Sequence, residues 1–149
     1  MSRSGYTDDT EDQWAMICWR GAVTSAIRGK RGQALLKEML VAMDAMPIKR
    51  LIATELVEPD LIPCSHWGLF ETESVCALGA VGKARGIDMS DIDPENRECV
   101  AKIFNIATPM EQEIVWVNDE AGRYRETPEQ RFVRVRAWVE SKIKKDQTA

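Results

Sequence analysis

The chain has 149 residues, of which 44% are hydrophobic and 30% are charged, and its formal net charge is −4. This composition is typical of a soluble globular domain and excludes a disordered or membrane-embedded chain. A domain of this length buries roughly 70% of its unfolded surface, so it needs no disulfide or metal to stay folded. The acidic balance also disfavours nonspecific nucleic-acid binding, which depends on clustered Lys and Arg.

Two helices are predicted at the start of the fold. Residues 11–28 have acidic side chains in the first turn and an arginine in the last, which is the arrangement that a helix dipole favours. A second helix is expected over residues 33–45, after a break at residues 29–32, and it ends before Pro47. The two helices are predicted to form a helical hairpin.

The first of these helices carries apolar or small residues on two neighbouring stripes. The stripes consist of Trp14, Ile17, Cys18 and Gly21 on one side and of Trp19, Val23 and Ile27 on the other. Because a surface helix normally shows one apolar stripe, this pattern predicts a helix that is covered on more than one side.

A small antiparallel β-hairpin is predicted in the middle of the chain. Residues 48–58 are the first strand candidate, although their alternation is imperfect, and residues 69–75 are the returning strand. Prolines indicate a loop over residues 59–68, and this loop contains the only histidine, His66.

Three helix starts mark the C-terminal half, each with a capping residue followed by proline and then an acidic or amide side chain. They are Asp93-Pro94-Glu95, Thr108-Pro109-Met110-Glu111 and Thr127-Pro128-Glu129-Gln130. The predicted helices run to Phe104 in the first case and to Val117 in the second, and the third buries Phe132, Val135, Val139 and Ile143.

Together these elements predict a mainly α fold with a small antiparallel β-hairpin, an α+β class, in one compact helical domain. The domain is expected to cover residues 1–149, with flexible segments at residues 1–10 and 146–149. The four cysteines are Cys18, Cys64, Cys76 and Cys99. Their wide spacing and the polar start of the chain predict free thiols in a reducing cytoplasm. No apolar run approaches the length of about 18 residues that a membrane span needs.

The segment from Cys76 to Gly86 predicts a helix with an unusual number of small residues. Glycine costs roughly 1 kcal/mol against alanine inside a helix, so several glycines indicate tight packing or a bound group, and packing is the favoured interpretation. A phosphate-binding loop is excluded because Ala77 occupies its first glycine position and Ala84 its hydroxyl position. The match of Gly79-Ala80-Val81-Gly82 to the loop of a KH domain is weak, since its middle is apolar.

Cys76 begins this helix, where the N-terminus favours a thiolate, so a catalytic thiol is one hypothesis. His66 would be its base, and Asn118 or Asp119 would orient the imidazole. The favoured interpretation is a structural cysteine and a loop histidine that never meet. Cys64 and His66 offer two metal ligands without a third or fourth, so no metal is assigned.

Asn118, Asp119 and Glu120 place three adjacent acceptors at the end of a helix. Turn chemistry explains them most simply, while a bound cation or a basic partner group is the alternative. We expect Asn118 or Asp119 to accept hydrogen bonds from the backbone at the start of the Cys76 helix, where N–H groups lack intrahelical partners. This contact would be either a structural clasp or the floor of a ligand pocket.

Basic residues cluster in the first helical hairpin. They are Arg20, Arg28, Lys30, Arg31 and Lys37. Such a cluster is most often a solvated helix surface, and binding to phosphates or to an acidic protein surface is the alternative.

Several segments resemble a family of small uncharacterised bacteriophage and prophage proteins. They include Met1-Ser-Arg-Ser-Gly-Tyr6, Trp19-Arg-Gly-Ala-Val23, Arg28-Gly-Lys-Arg-Gly-Gln33, Val75-Cys-Ala-Leu-Gly-Ala80 and its continuation to Gly86, Asn118-Asp-Glu120 and Glu126-Thr-Pro-Glu-Gln-Arg131. The likeness spans nearly the whole chain, and residues 58–70 look like an expansion of a shorter connection in that family. The resemblance implies an accessory or counter-defence role in the host cytoplasm.

The sequence therefore favours a non-enzymatic phage-type protein that binds a host or phage macromolecule, with a protein as its expected partner and no cofactor. Cys76, Asn118, Asp119 and Glu120 are the candidate binding residues, and no catalytic residue is assigned. The alternatives are a small ligand-binding protein or cysteine-dependent enzyme built on those residues, and nucleic-acid binding through the basic hairpin over residues 20–37.

Overall fold

The computed structural model describes residues 3–6, 13–64 and 68–145. For residues 60–64 and 68–72 it describes the backbone only. Over these ranges the chain is mainly helical with one two-stranded antiparallel sheet, which confirms the predicted fold class. The elements in chain order are α1 Gln13–Arg28, α2 Lys30–Asp44, β1 Val57–Cys64, β2 Gly68–Val75, α3 Ala77–Ala84, α4 Arg97–Ile103, α5 Thr108–Asp119 and α6 Pro128–Lys142. No helix in these ranges is long and apolar enough to cross a membrane.

The hydrophobic core lies between α2, α3 and α5, and α1, α4 and α6 pack around it. Its fully buried side chains come from all of these layers and include Leu36, Met39, Leu78, Phe104, Met110 and Ile114. The expected buried residues of α6 are confirmed for Phe132, Val135 and Val139, while Ile143 is only partly buried. The predicted helical hairpin is also present, because α1 packs against α2.

The break between α1 and α2 is shorter than predicted, because only Gly29 is extended and α2 begins at Lys30. Gly32 therefore lies inside the helix and is buried. A Cβ at this position would collide with the backbone oxygen of Ala26. Gly32 is a glycine because two backbones approach closely there, and it does not mark a turn.

The prediction of a strand over residues 48–58 is wrong for most of its length. Residues 48–56 are irregular, and Thr54 has a positive φ of 71°, which interrupts an extended strand. The first strand instead contains Pro59 and Pro63, which were expected in a loop. A two-stranded sheet tolerates proline because both strands are edges and one side of each has no ladder to donate to. The expected returning strand is confirmed as β2.

The helix starts of the C-terminal half follow the predicted chemistry with two shifts. Thr127 caps α6 in a full capping box with Gln130, as predicted. The α4 helix begins later than expected, because Asn96 is its cap and accepts the Cys99 N–H at 3.2 Å, while Asp93 forms a preceding turn. Ala107 rather than Thr108 caps α5, which runs to Asp119 and so includes Asn118 in its last turn.

Candidate functional site

The predicted contact between the α3 start and the end of α5 is present. The backbone N–H of Ala77 donates to Asn118 Oδ1 at 3.1 Å, and Asn118 Nδ2 donates to the carbonyl of Ile52 at 2.8 Å. Asn118 is 1% exposed, so both bonds form away from water. The Asn118 amide therefore ties α5 to the α3 N-terminus and to the irregular segment before β1, and we call this contact the clasp.

Asp119 accepts hydrogen bonds from the N-terminal segment. The Arg3 guanidinium donates to both Asp119 oxygens, at 2.7 and 2.8 Å. The Thr54 N–H donates to the same carboxylate at 3.2 Å. Glu120 has a similar role, because it accepts the Ser4 hydroxyl at 3.2 Å. The alternative of a basic group opposite these acceptors is met within the chain for Asp119, by Arg3.

The charges of the Arg3–Asp119 pair are stabilised in place. Burial opposes ionisation of Asp119, but the hydrogen bonds and positive charge of Arg3 outweigh it, so the pKa of this carboxyl lies below its ordinary value. Burial also opposes the charge of Arg3, and its contacts with Cys76 and Asp119 raise its pKa. Both groups remain charged in a nearly closed environment, with side chains that are 2% and 7% exposed.

Further contacts fix the N-terminal segment along α5. Gln112 Nε2 donates to the carbonyl of Ser4 at 2.9 Å, and the Tyr6 hydroxyl lies 3.3 Å from Glu113 Oε1. The Trp19 indole N–H donates to the Tyr6 hydroxyl at 3.0 Å. Within the region 1–10 that was expected to be flexible, Arg3–Tyr6 is thus hydrogen-bonded to α1 and α5. Residues 7–10 and 146–149 lie outside the described ranges.

Glu111 is a buried acid beside this cluster, and the sequence had not indicated it as a site residue. It is 0% exposed, and neither of its carboxyl oxygens has a hydrogen-bond partner among the described residues. Burial raises its pKa to about 8, although the charges of Arg3 and Arg97 act in the opposite direction. Glu111 is consequently mainly protonated at neutral pH. The sequence identified Glu111 only as the acidic residue in the first turn of a predicted helix.

The surroundings of Cys76 are those of a structural residue. It is the N-cap of α3, its thiol is 1% exposed, and its sulfur accepts the Gly79 N–H at 3.4 Å. Gly79 has no room for a side chain, because a Cβ there would collide with the carbonyl oxygen of Leu56. Gly82 lies in the same way against Met89. These contacts agree with packing as the reason for the small residues of α3.

The geometry of the described residues in this region does not support the hypotheses of a cysteine-dependent enzyme or a ligand-binding protein. His66 lies outside the described residues, so its pairing with Cys76 stays a hypothesis. A cavity of about 230 Å³ lies between the end of α2 and α3, but neither Cys76 nor Asn118 lines it. Within the described ranges, no group of three or more His, Cys, Asp or Glu side chains is placed to hold a metal.

The basic cluster is partly used inside the molecule. Arg20 binds Glu113 through two contacts of 2.9 and 2.7 Å, and Arg31 donates to Asn105 Oδ1 at 3.2 Å. Arg28, Lys30 and Lys37 remain exposed. Two residues of the predicted cluster, Arg20 and Arg31, thus bond to other side chains of the molecule, although they too are exposed.

The outward face of α1 departs most from the sequence prediction. We use this name for Trp14, Ile17, Cys18 and Gly21, which were expected to be covered. Trp14 is 70% and Ile17 is 62% exposed, Cys18 is exposed, and a Cβ on Gly21 would meet nothing within 4 Å. The core covers the other stripe, where Val23 and Ile27 are buried. A helix covered on both stripes was therefore a wrong prediction for the isolated chain.

Comparisons with known proteins do not indicate a function for this chain. No family model, curated protein or solved structure matches this chain. The likeness to phage proteins consequently stays a prediction from the sequence segments that carry it. The opening segment, among those segments, was the one sequence signal for the buried Arg3.

Proposed function

We propose that this chain is a non-enzymatic protein that acts by binding another protein through the outward face of α1. The observation that carries the proposal is the exposure of Trp14 and Ile17 on one continuous side of a surface helix. Contiguous exposed apolar patches are uncommon on monomeric soluble proteins and typically mark interaction sites. Tryptophan is also among the residues that most often dominate the energy of protein interfaces.

The chemistry of the other candidate surfaces supports a protein partner. Cys76 and Asn118 are almost fully buried, and both bind backbone N–H groups of α3, which agrees with a structural role for these two residues. Asp119 is likewise neutralised by Arg3. A binding role that does not depend on an open pocket agrees with these contacts, and the outward face of α1 needs no such pocket.

The resemblance to phage and prophage proteins extends this proposal to a biological setting. In that setting the chain is an accessory protein in the host cytoplasm, with a counter-defence role and a host or phage protein as its partner. The extension depends on sequence likeness alone, because a fold or family by itself does not supply a mechanism.

A pull-down from infected bacterial cells tests the proposal. The tagged full chain is compared with a Trp14→Asp/Ile17→Asp variant and with Val133→Asp as a matched control, since Val133 on α6 is 69% exposed. All three proteins should unfold at similar temperatures, because substitutions at exposed positions usually change stability by about 0.5 kcal/mol or less. We expect the α1 variant to lose captured proteins that the control retains. Identical capture by all three would contradict the proposal.

Nucleic-acid binding is a second candidate, supported by the exposure of Arg28, Lys30 and Lys37. Its signature is an affinity that falls steeply with salt, in proportion to the phosphates contacted. This affinity is measured by titration with duplex DNA and single-stranded RNA at low salt. The titration is repeated with the Arg28→Glu/Lys30→Glu/Lys37→Glu variant. Absence of binding at low salt excludes this candidate.

A further inference from the structure

We propose that the N-terminal segment Arg3–Tyr6 occupies a peptide-binding groove along α5, and that a partner segment of arginine, a small residue, glycine and tyrosine takes its place there. We call Arg3–Tyr6 the strap. The groove uses different residues from the outward face of α1, so the inference goes beyond the proposed function. In the free protein the strap closes the groove as a resident ligand, and a partner segment binds by displacing it.

The first pocket of the groove holds an arginine. Asp119 accepts the Arg3 Nε and Nη2 donors at 2.7 and 2.8 Å, and the Cys76 thiol contacts the same guanidinium. A planar guanidinium fits a carboxylate in this two-bond geometry, whereas the ammonium group of a lysine does not. Because the Arg3 side chain is almost completely enclosed, the pocket selects arginine.

The second pocket holds an aromatic ring three positions later. The Tyr6 ring lies edge-on to Trp19, with ring centroids 6.0 Å apart, and is tilted against Trp116 at 5.8 Å. Its hydroxyl accepts the Trp19 indole N–H at 3.0 Å and donates to Glu113 at 3.3 Å. Aromatic rings at these separations attract one another beyond the effect of burial alone. The pocket therefore selects an aromatic residue with a hydroxyl group.

Between the two pockets the groove favours a small residue followed by glycine. Ser4 is fully buried, its hydroxyl donates to Glu120 at 3.2 Å, and its carbonyl accepts from Gln112 at 2.9 Å. Gly5 has a φ of 75°, and a Cβ there would collide with the Arg97 guanidinium. Residues with a side chain rarely adopt this backbone conformation. These contacts define the pattern of the expected partner segment.

The strap is attached to the helices as a ligand would be. The hydrogen bonds that join Arg3, Ser4 and Tyr6 to α1 and α5 all involve a side chain. The backbone hydrogen bonds of α1 and α5 are formed within each helix and do not depend on the strap. Release of the strap therefore leaves both helices intact, and such local opening requires less free energy than unfolding of the whole domain.

One group of the groove is left unsatisfied by the strap. Glu111 is fully buried, and neither of its carboxyl oxygens has a hydrogen-bond partner among the described residues. The charges of Arg3, Arg97 and Asp119 act on Glu111, so it lies close to the arginine pocket. Buried polar groups without partners weaken the packing that encloses them. A partner segment that brings a donor to Glu111 gains a hydrogen bond that the strap does not make.

Competition with the strap sets the conditions for binding. A tethered segment holds its site with an effective concentration of about millimolar, so a short free peptide competes poorly while the strap is intact. An incoming arginine restores the ion pair that a displaced Arg3 would leave broken, and a buried carboxylate strongly favours such a replacement. Weakening the strap should therefore open the groove to a peptide of the same pattern.

Peptide binding to the full chain tests the groove. The probe is the peptide Ser-Arg-Ser-Gly-Tyr, labelled with a fluorophore at its N-terminus and amidated at its C-terminus, and fluorescence anisotropy measures its affinity. We expect Arg3→Ala to bind it about tenfold more tightly than the wild type or better, because Asp119 has lost its resident arginine. Arg136→Ala breaks an exposed ion pair with Asp44 and is the matched control, which should bind like the wild type. Tyr6→Ala empties the aromatic pocket and repeats the test if circular dichroism shows that Arg3→Ala is unfolded.

Changes in the probe test its recognition. In peptides measured against Arg3→Ala, replacing the arginine by lysine should weaken binding about tenfold or more, because lysine lacks the two-bond geometry. Replacing the glycine by alanine should weaken binding as well, since the alanine must adopt a positive φ against Arg97. Equal binding of the arginine and lysine peptides would overturn the proposed pocket.

A disulfide between the strap and the groove provides a second test with Arg3 intact. Ser4→Cys and Glu120→Cys are combined in a Cys18→Ser, Cys64→Ser, Cys99→Ser background, because the Ser4 and Glu120 side chains are in contact. Peptide mapping verifies the new disulfide. The reduced protein should bind the probe about tenfold more tightly than the oxidised protein or better, since only the reduced strap can leave the groove. Binding that survives oxidation would overturn the proposal, as would absence of binding to both Arg3→Ala and Tyr6→Ala at about 1 mM peptide.

Discussion

Arg3 and Asp119 form a bidentate ion pair at 2.7 and 2.8 Å across 116 positions of sequence. The pair joins the start of the chain to the last turn of α5, directly beside the Asn118 clasp. Because both side chains are nearly inaccessible to water, neither can lose its partner without leaving a buried charge. The N-terminal segment is thus a structural part of the domain.

We expect Arg3→Ala and Asp119→Ala each to lower the free energy of unfolding by about 3–5 kcal/mol, since each leaves an uncompensated buried charge. The double variant should lose less than the sum, with a coupling of about 1–3 kcal/mol. Urea unfolding of all four proteins measures this cycle. Arg136→Ala, which breaks the exposed pair with Asp44, is the control and should cost clearly less. Strict additivity of the two Ala variants would show that the pair is not coupled.

Glu111 should make stability fall as the pH rises. Its pKa is raised from 4.5 to about 8 in the folded chain, so between these values the unfolded chain has lost a proton that the folded chain keeps. Glu111→Gln removes this titration. Between pH 5 and pH 8.5 we expect the variant to gain on the order of 2–4 kcal/mol relative to wild type. Denaturant unfolding across this range measures the difference, and a difference that stays constant with pH would refute the buried neutral acid.

Cys76 should behave as a packed helix cap. Cys76→Ala removes the acceptor for the Gly79 N–H and should cost about 1–2 kcal/mol, whereas Cys76→Ser keeps an acceptor and should cost less. In a Cys18→Ser, Cys64→Ser, Cys99→Ser background, the remaining thiol should react with a thiol reagent only as fast as the protein opens. Rapid modification of the folded protein would revive the hypothesis of an activated nucleophile.

Two glycines in helices should respond in opposite ways to the same substitution. Gly79→Ala forces a methyl group onto the Leu56 carbonyl and should destabilise the chain by about 1–3 kcal/mol or more. Gly21→Ala adds a methyl group in open space and should stabilise α1 by up to about 1 kcal/mol. Thermal unfolding at low protein concentration compares them. Equal effects would mean that α3 does not pack as described.

Local signals in the sequence determined the helices and one contact of the site. The capping box at Thr127 and the small residues of α3 act over a few neighbouring positions, so their structural meaning can be inferred without knowing the fold. The clasp followed from a simple requirement, because an N–H group at the start of α3 needs an acceptor and Asn118 belongs to one of the segments singled out.

Only the tertiary structure decided which surfaces are covered and which charges are buried. Both stripes of α1 are apolar, and packing against α2 and α5 buries one of them and leaves Trp14, on the other, 70% exposed. Glu111 occupies a position that local rules assign to the surface, and Arg3 lies in a segment that local rules leave flexible. Their environments come from residues more than 100 positions away in the case of Arg3, and no periodicity or spacing encodes a contact between such distant parts of a chain.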